Sequence, residues 1–124
     1  MTMLSAHFSE AEFACKHCGM LPTYGISSVL LNGLERLRAR LGRPIYISSG
    51  YRCPVHNAAV GGVSNSQHVA GTAADIYVEG VSTRELARIC KQIFDGVGTY
   101  VGDGFVHVDM RAGGSVPGYY LWEG

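Results

Sequence analysis

The segment Phe105–Met110 constrains the fold more than any other part of the sequence, because its alternate residues differ in chemistry. Successive side chains of a β-strand point to opposite faces of the sheet. One face of this segment is therefore aliphatic and consists of Val106, Val108 and Met110. The opposite face carries His107 and Asp109. The pattern predicts a strand whose aliphatic face covers a hydrophobic core. A His and an Asp on the opposite face do not serve a core, so their presence there requires a different explanation.

Regular spacing of apolar residues predicts helices elsewhere in the chain. A helix is predicted from Ser27 or Ser28 to Gly42, because leucines recur at spacings of three and four between these residues. A second helix is predicted from Ser82, which begins a capping box, to Gly96. Both predicted helices have an apolar face that can pack on a sheet.

Short elements complete the predicted fold. They are a helix over residues 8–13 and strands over residues 44–48, 74–78 and 98–101. The glycine-marked link 102–104 favours antiparallel neighbours. A chain of 124 residues suits a single domain, here residues 1–124. We expect an α+β fold with a small, largely antiparallel sheet and helices packed on one side.

Charge and hydropathy exclude several classes of protein. The chain has 10 Lys and Arg residues and 10 Asp and Glu residues, so it has no long-range field that would attract nucleic acid or an anionic membrane. No apolar run approaches the roughly 18 residues that a membrane span requires. No secretory signal peptide is visible, since no Lys or Arg precedes Lys16. We expect a monomer that binds neither nucleic acid nor membrane.

The cysteines leave three interpretations open. Cys15 and Cys18 form a C-x-x-C pair, which is typical of redox-active sites and of one half of a structural zinc site. Cys53 and Cys90 stand alone in the sequence, so no second ligand pair is visible. Reduced cysteines packed near the N-terminal segment are the third interpretation. A redox function is disfavoured, because no thioredoxin-like order of elements surrounds Cys15.

The stretch Ser64–Ile76 is the most informative for chemistry. His68 and Asp75 are separated by a turn at Gly71 and by small alanines that leave room for an ion. If the strand of Asp75 pairs with that of His107, the sheet presents both side chains on one surface. Two imidazoles and a carboxylate form the ligand set of a catalytic zinc ion, with a fourth position for water. Each residue alone is also compatible with a structural role, such as a hydrogen-bonded strand histidine or a turn aspartate.

Several blocks of sequence resemble one known family. In chain order they are Ser49-Gly50-Tyr51-Arg52-Cys53-Pro54, Ser66-Gln67-His68, Ala73-Ala74-Asp75 and Phe105-Val106-His107-Val108-Asp109. Together they closely resemble the zinc D-alanyl-D-alanine carboxypeptidases, the M15-type peptidoglycan peptidases, which are related in fold to the hedgehog signalling domain. Cys15 and Cys18 add a likeness to the small, single-domain and often phage-encoded branch. The resemblance covers about residues 7–111.

The resemblance implies a hedgehog-like fold and a Zn²⁺ ion held by His68, Asp75 and His107. It implies hydrolysis of D-alanine-containing bonds in peptidoglycan stem peptides, by a carboxypeptidase or an endopeptidase reaction. The alternative is a non-catalytic zinc-binding module of the same fold that binds cell wall or a protein partner. Without a visible signal peptide, we expect a protein made in the cytoplasm that reaches the wall after release or delivery, as in phage lysis or on a virion.

The resemblance also assigns roles around the zinc ligands. Arg52 matches an arginine near the carboxylate or carbonyl of the substrate, and a surface ion pair is the competing interpretation. Ser66 matches a serine that binds substrate or caps the local turn. Independently of the resemblance, Asp109 lies on the same strand face as His107 and is expected to accept the second ring N–H of a ligating histidine.

The sequence departs from the family at the general base. Related dipeptidases have a glutamate three residues before the last zinc histidine, where this chain has Gly104. Asp103 is the nearest carboxylate and is predicted to take the proton from the attacking water. Asp109 and Glu79 are the alternatives. A relative that kept the ligands and lost the base would bind zinc without cleaving anything.

Overall fold

A sheet of mixed strand direction forms the centre of the computed structural model, which describes residues 2–62 and 66–124. Its strands are β1 (Tyr46–Ser49), β2 (Ala73–Tyr77), β3 (Gly96–Tyr100), β4 (Phe105–Asp109) and β5 (Tyr120–Glu123). Their order across the sheet is β1-β2-β4-β3-β5. The β1–β2, β2–β4 and β3–β4 pairs are antiparallel, and β5 lies parallel to β3. The predicted α+β fold with a largely antiparallel sheet is confirmed.

Among the described residues, the two longest helices begin where the capping signals predicted. The helices of this part of the chain are α1 (Glu10–Phe13), α2 (Ser28–Leu41), α3 (Pro54–Ala59) and α4 (Thr83–Cys90). Ser27 and Ser82 cap α2 and α4, because their side chains accept backbone N–H groups of the first turn at 3.2 Å. Gly42 ends α2 with a left-handed φ of 64°. No helix among the described residues is long and apolar enough to cross a membrane.

Two helices differ from the sequence prediction. The predicted continuation of α4 to Gly96 is wrong, since α4 ends at Cys90 and Gly96 begins β3. The chain instead makes a tight turn in which the Phe94 N–H donates to the Cys90 carbonyl at 2.9 Å. This turn places the Phe94 ring in the core, where it is completely buried. The short helix α3 was not predicted, and it begins with Pro54, whose fixed φ suits a first helical position.

The hydrophobic core lies on the aliphatic face of the sheet. Val106 and Val108 of β4 are completely buried, as their alternation predicted. They share one cluster with residues from α2 and α4, among them Leu30, Leu34, Leu37 and Leu86. Gly33 allows a close approach of α2, because a Cβ there would lie 2.6 Å from Met110 Cε. Helices therefore pack against this face and leave the other face for a different use.

The opposite face presents one row of residues across the whole sheet. At its centre, Asp75 of β2 pairs directly with His107 of β4. Ser49 of β1 pairs with Asp75, and Gly98 of β3 pairs with His107. Gly98 pairs in turn with Trp122 of β5. The register thus places a carboxylate beside an imidazole, with one residue from every strand on the same line.

Two glycines on this face leave space for the side chains of neighbouring strands. A Cβ at Gly98 would lie 2.5 Å from the indole of Trp122. A Cβ at Gly96 would lie 2.4 Å from a carboxylate oxygen of Asp109. Because the Asp109 carboxylate and the Trp122 indole pack directly on the backbone of β3, only glycine fits at both positions.

A buried carboxylate orders the loop that leads to β5. Asp95 is completely buried, and its oxygens accept the backbone N–H groups of Ala112, Gly114 and Val116 at 2.8–3.0 Å. The Asp95 carbonyl also accepts the Tyr120 N–H at 2.9 Å. Because a buried carboxylate is stable only when its oxygens are bonded, this residue holds the loop in one conformation. The loop in turn brings β5 alongside β3.

Replacing Gly96 with alanine is expected to lower the free energy of unfolding by about 1–3 kcal/mol, as overpacking of a filled site does. The new methyl group would collide with the Asp109 carboxylate, which Arg111 holds in place. Gly102→Ala is the matched control, because a Cβ there meets no atom within 4 Å. Urea denaturation measures both variants, and equal midpoints would contradict the close packing at Gly96.

Candidate metal centre

The sheet register and a glycine turn bring His68, Asp75 and His107 together. His68 Nε2 and His107 Nδ1 each lie 3.2 Å from Asp75 Oδ1, and the two nitrogens are 3.3 Å apart. All three residues are buried. Gly71 returns the chain to β2 with a left-handed φ of 75°, which favours glycine. Ser64 and Asn65, which begin the stretch predicted to carry the chemistry, lie outside the described residues.

Hydrogen bonds on the far side of each ring determine which nitrogen faces the cluster. The Gly50 carbonyl oxygen lies 2.8 Å from His68 Nδ1 and can only accept, so this nitrogen carries the proton. The Asp109 carboxylate, 2.8 Å from His107 Nε2, assigns the proton to that nitrogen in the same way. His68 Nε2 and His107 Nδ1 therefore direct lone pairs toward Asp75. Three acceptor atoms face one point, which suits a cation.

The spacing of these atoms fits the zinc ion that the resemblance implies. A tetrahedral zinc ion with bonds of about 2.0–2.1 Å keeps its ligand atoms about 3.3 Å apart. The observed separations of 3.2–3.3 Å match that value without rearrangement. Two imidazoles and a carboxylate are also the donor set of catalytic zinc sites, which keep a further position open.

Asp75 is ionised at neutral pH despite its burial. Burial alone would raise the pKa of this carboxyl group, because a low-dielectric environment disfavours the charged form. When the inner nitrogens of His107 and His68 carry protons in place of a metal ion, their hydrogen bonds and charge outweigh burial and hold the pKa of Asp75 well below its usual range. The carboxylate is therefore available to a cation.

Asp109 connects His107 to Arg111. Burial would raise the pKa of Asp109, but hydrogen bonds from His107 and Arg111 lower it to about 2. The Arg111 guanidinium donates to the two carboxylate oxygens at 2.9 and 2.7 Å. It also lies over the rings of Tyr120 and Trp122, 4.9 and 5.3 Å from their centroids. Asp109 is thus rigidly placed to orient the His107 ring.

A cavity of about 590 Å³ opens beside the cluster. It is lined by His68, Asp75 and His107 and by Arg52, Val60, Gly61, Gly62, Ser66, Gln67, Tyr100, Phe105, Arg111 and Trp122. Both residues that were predicted to contact substrate, Arg52 and Ser66, are therefore beside the cluster.

Arg52 and Ser66 also bond to the cluster itself. Arg52 Nη2 lies 3.4 Å from Asp75 Oδ2, the carboxylate oxygen that the imidazoles do not contact. Arg52 Nε lies 3.3 Å from Ser49 Oγ. The Ser66 hydroxyl accepts the backbone N–H of His68 at 3.1 Å, which caps the turn. Arg52 is thus paired with a residue of the cluster and not with a surface carboxylate.

The structure does not bring Asp103 to the cavity. Asp103 is exposed in the turn between β3 and β4, and it is not among the residues that line the cavity. The turn closes with the Gly104 N–H donating to the Tyr100 carbonyl at 2.9 Å, which leaves Asp103 on the solvent side. Glu79 is exposed beyond β2, and Asp109 faces the far nitrogen of His107. Asp103 as the general base therefore stays a prediction, and its position outside the cavity wall does not favour it.

Among the residues of the cavity wall that were not predicted from the sequence are Tyr100, Arg111 and Trp122. The Trp122 indole N–H donates to the Tyr100 hydroxyl at 2.8 Å, and the indole lies 5.0 Å from the His107 ring. Alternation in β3 places Tyr100 on the same face as Gly98, a signal that could have identified it. Trp122 lies on β5, a strand that the sequence pattern did not reveal.

Comparison with known proteins identifies the family. Residues 6–109, which include the whole cluster, match the Peptidase M15 family. Over 88 residues the chain is 32% identical to the Peptidoglycan L,D-endopeptidase MepK of Escherichia coli (strain K12), and the alignment covers 64% of this chain and 48% of that protein. The protein of the same name from Shigella flexneri matches to the same extent. The chain spans about half the length of these curated relatives. It belongs to the Peptidase M15 family, a family of metallopeptidases, as its motifs predicted.

Proposed function

We propose that this protein is a zinc-dependent endopeptidase that hydrolyses peptidoglycan stem peptides at a bond involving D-alanine. One observation carries the proposal. His68 Nε2, Asp75 Oδ1 and His107 Nδ1 converge at 3.2–3.3 Å from one another on the wall of a cavity of about 590 Å³. This arrangement combines a cation site with space for a substrate.

The residues of the cluster act by holding the ion and one another in place. Bound zinc would polarise a substrate carbonyl and lower the pKa of a water molecule toward about 7. His68, Asp75 and His107 would bind the ion. The Gly50 carbonyl and the Asp109 carboxylate keep the two imidazoles in the tautomers that binding requires.

The cavity suits a short polar peptide. Its volume of about 590 Å³ lies within the range of roughly 300–1,000 Å³ that is usual for ligand pockets. Arg52, Ser66 and Gln67 offer polar groups to peptide amides, and Tyr100 and Phe105 offer a stacked aromatic pair with centroids 4.6 Å apart. The curated relatives are named peptidoglycan L,D-endopeptidases, which supports peptidoglycan as the substrate class.

The pairing of the arginines favours cleavage inside a peptide over removal of a terminal residue. A carboxypeptidase binds the terminal carboxylate of its substrate, usually with a cationic side chain. Among the described residues that line the cavity, the cationic side chains are Arg52 and Arg111. Arg52 contacts Asp75, and Arg111 is held at both oxygens of Asp109. Both cations already neutralise carboxylates of the site, so an internal bond without a nearby carboxylate fits better.

Tyr100 is our candidate for the hydrogen-bond donor to the reacting carbonyl. Its oxygen accepts the Trp122 indole N–H, so its own proton is available to another acceptor. It lines the same cavity as the ligand His107, so we assign its hydroxyl to the carbonyl oxygen that gains negative charge. Among the described residues that line the cavity, only Asp75 has a carboxylate. No second carboxylate of the described cavity wall is therefore present to accept the Tyr100 proton in place of the substrate.

The reaction is tested on purified sacculi and on defined crosslinked muropeptides, with mass spectrometry of the products. We expect cleavage of crosslinked dimers that stops after treatment with a chelator and returns when zinc is added. His68→Ala should abolish cleavage, because it removes one of the three ligand atoms.

Other products would decide between the remaining interpretations. Release of free D-alanine from pentapeptides, with dimers left intact, would show a carboxypeptidase and overturn the endopeptidase assignment. Full activity of the metal-free protein would contradict zinc dependence. A zinc-loaded protein that binds sacculi and cleaves no muropeptide would be the non-catalytic module.

Tyr100→Phe is expected to lower kcat by about 10²–10³, the usual cost of removing one donor to a developing oxyanion. The zinc content should stay unchanged, since the Tyr100 hydroxyl contacts Trp122 and none of the three ligand atoms. Asp103→Asn is the comparison variant and should retain the wild-type rate, because Asp103 does not line the cavity. A loss of rate in Asp103→Asn with none in Tyr100→Phe would restore Asp103 as the general base.

A further inference from the structure

A second cluster of metal-ligating side chains lies outside the proposed zinc centre. The sulfur atoms of Cys15, Cys18 and Cys53 all lie within 4.8 Å of one another. Sequence spacing alone left Cys53 isolated, but the fold brings the connection between β1 and α3 against the segment that follows α1. None of the three cysteines forms a disulfide. The C-x-x-C pair thus has the further ligand that the sequence did not reveal.

The backbone around these sulfurs is arranged to favour a charged ligand set. The Cys53 N–H donates to Cys15 Sγ at 3.4 Å, and the His56 N–H donates to Cys53 Sγ at 3.4 Å. Gly19 closes a tight turn with a φ of 72°, and its N–H donates to the Cys15 carbonyl at 2.8 Å. This turn holds Cys15 and Cys18 side by side, as in the C-x-x-C half of a zinc site.

The spacing of residues points to His56 as the fourth ligand, although its ring nitrogens are not among the atoms that already lie together. His56 follows Cys53 by three residues, just as Cys18 follows Cys15. Its ring is half-buried and stacks on the ring of His17, with centroids 5.8 Å apart, so it must turn from His17 to reach the sulfurs. Three cysteines and one histidine form one of the standard ligand sets of closed, structural zinc sites.

We propose that Cys15, Cys18, Cys53 and His56 bind a second, structural zinc ion. A tetrahedral zinc ion with Zn–S bonds of about 2.3 Å holds its sulfur ligands about 3.8 Å apart. Sulfurs that already lie within 4.8 Å need only a small contraction to reach that geometry. The ion would complete the site without moving any strand of the sheet.

Electrostatics within the cluster agrees with this assignment. Partial burial would raise the pKa of Cys15, but N–H groups of Cys53, Cys18 and His17 lower it to about 7. The Met20 backbone favours the Cys18 thiolate, whereas desolvation and the neighbouring sulfurs outweigh it and raise the pKa of Cys18. A divalent cation between the sulfurs would offset the effect of the neighbouring sulfurs that raises the pKa of Cys18.

The second ion would fasten the N-terminal segment to the chain that supports the first metal centre. Between β1 and α3, Gly50 holds the His68 ring and Arg52 contacts Asp75. The Tyr51 N–H donates to the Phe13 carbonyl at 2.8 Å, so the two segments already run together. Cys53 immediately follows Arg52, and a zinc ion there would fix the position from which Arg52 reaches Asp75.

Cobalt substitution tests the proposal on the full-length wild-type chain. Thiolate ligands give cobalt an intense charge-transfer absorption in the near ultraviolet, which histidine and carboxylate ligands do not give. We expect this absorption in the wild type and in His68→Ala, which retains the cysteine site. Metal analysis should find two zinc ions per wild-type chain and one in His68→Ala.

Single variants assign the ligands. Cys18→Ser and Cys53→Ser should each lose one zinc ion and most of the charge-transfer absorption. Cys90→Ala is the matched control and should keep both, because Cys90 lies buried outside the cluster. His56→Ala should lose or weaken the second ion, whereas His17→Ala should keep it.

Two results would overturn the proposal, and neither depends on the folding of a variant. They are a cobalt derivative of the wild type without thiolate absorption, and a disulfide among these cysteines in freshly purified protein. A single zinc ion together with thiolate absorption would instead show that the centre of His68, Asp75 and His107 is empty. Loss of the ion in His17→Ala with retention in His56→Ala would overturn the assignment of His56. The proposal stands apart from peptidase activity, since every readout is metal content or absorption.

Discussion

The direct pairing of Asp75 with His107 across β2 and β4 is the constraint on which the rest of the molecule depends. Side chains alternate along a strand, so a slip of one residue in this register would turn His107 into the core and Val106 toward the cavity. The register that buries the aliphatic side chains of β4 therefore also decides which side chains face the cavity. Burial of Val106 and Val108 stabilises the register that brings the ligand atoms within 3.2–3.3 Å of one another.

Around this pair, the fold supplies support from segments far apart in the chain. The Gly50 carbonyl orients His68, and Asp109, held by Arg111, orients His107. Glycines in β3 give Asp109 the space to lie flat, and β5 adds an indole beside the His107 ring. Hydrogen bonds to the outer ring nitrogens keep metal-binding imidazoles in one tautomer and one orientation. Histidines without such bonds would rotate and exchange tautomers.

Local patterns predicted the parts of this structure that depend on neighbouring residues. Capping boxes and leucine spacing predicted the starts of α2 and α4, and alternation predicted which side of β4 is buried. Contacts between distant segments could not be predicted in this way. The parallel pairing of β5 depends on the buried Asp95, the exposure of Asp103 depends on the geometry of a turn, and the approach of Cys53 to Cys15 depends on the path of two loops. The resemblance to a family helped where motifs were contiguous and gave no guidance on Tyr100 or Trp122.

The central claim is that His68, Asp75 and His107 bind a zinc ion, and anomalous diffraction tests it most directly. Crystals grown with zinc would be measured on both sides of the zinc absorption edge, and the anomalous difference map calculated. The account predicts a peak at the point that is equidistant from His68 Nε2, Asp75 Oδ1 and His107 Nδ1. A map with no peak there, and with the three side chains hydrogen-bonded to one another, would contradict it.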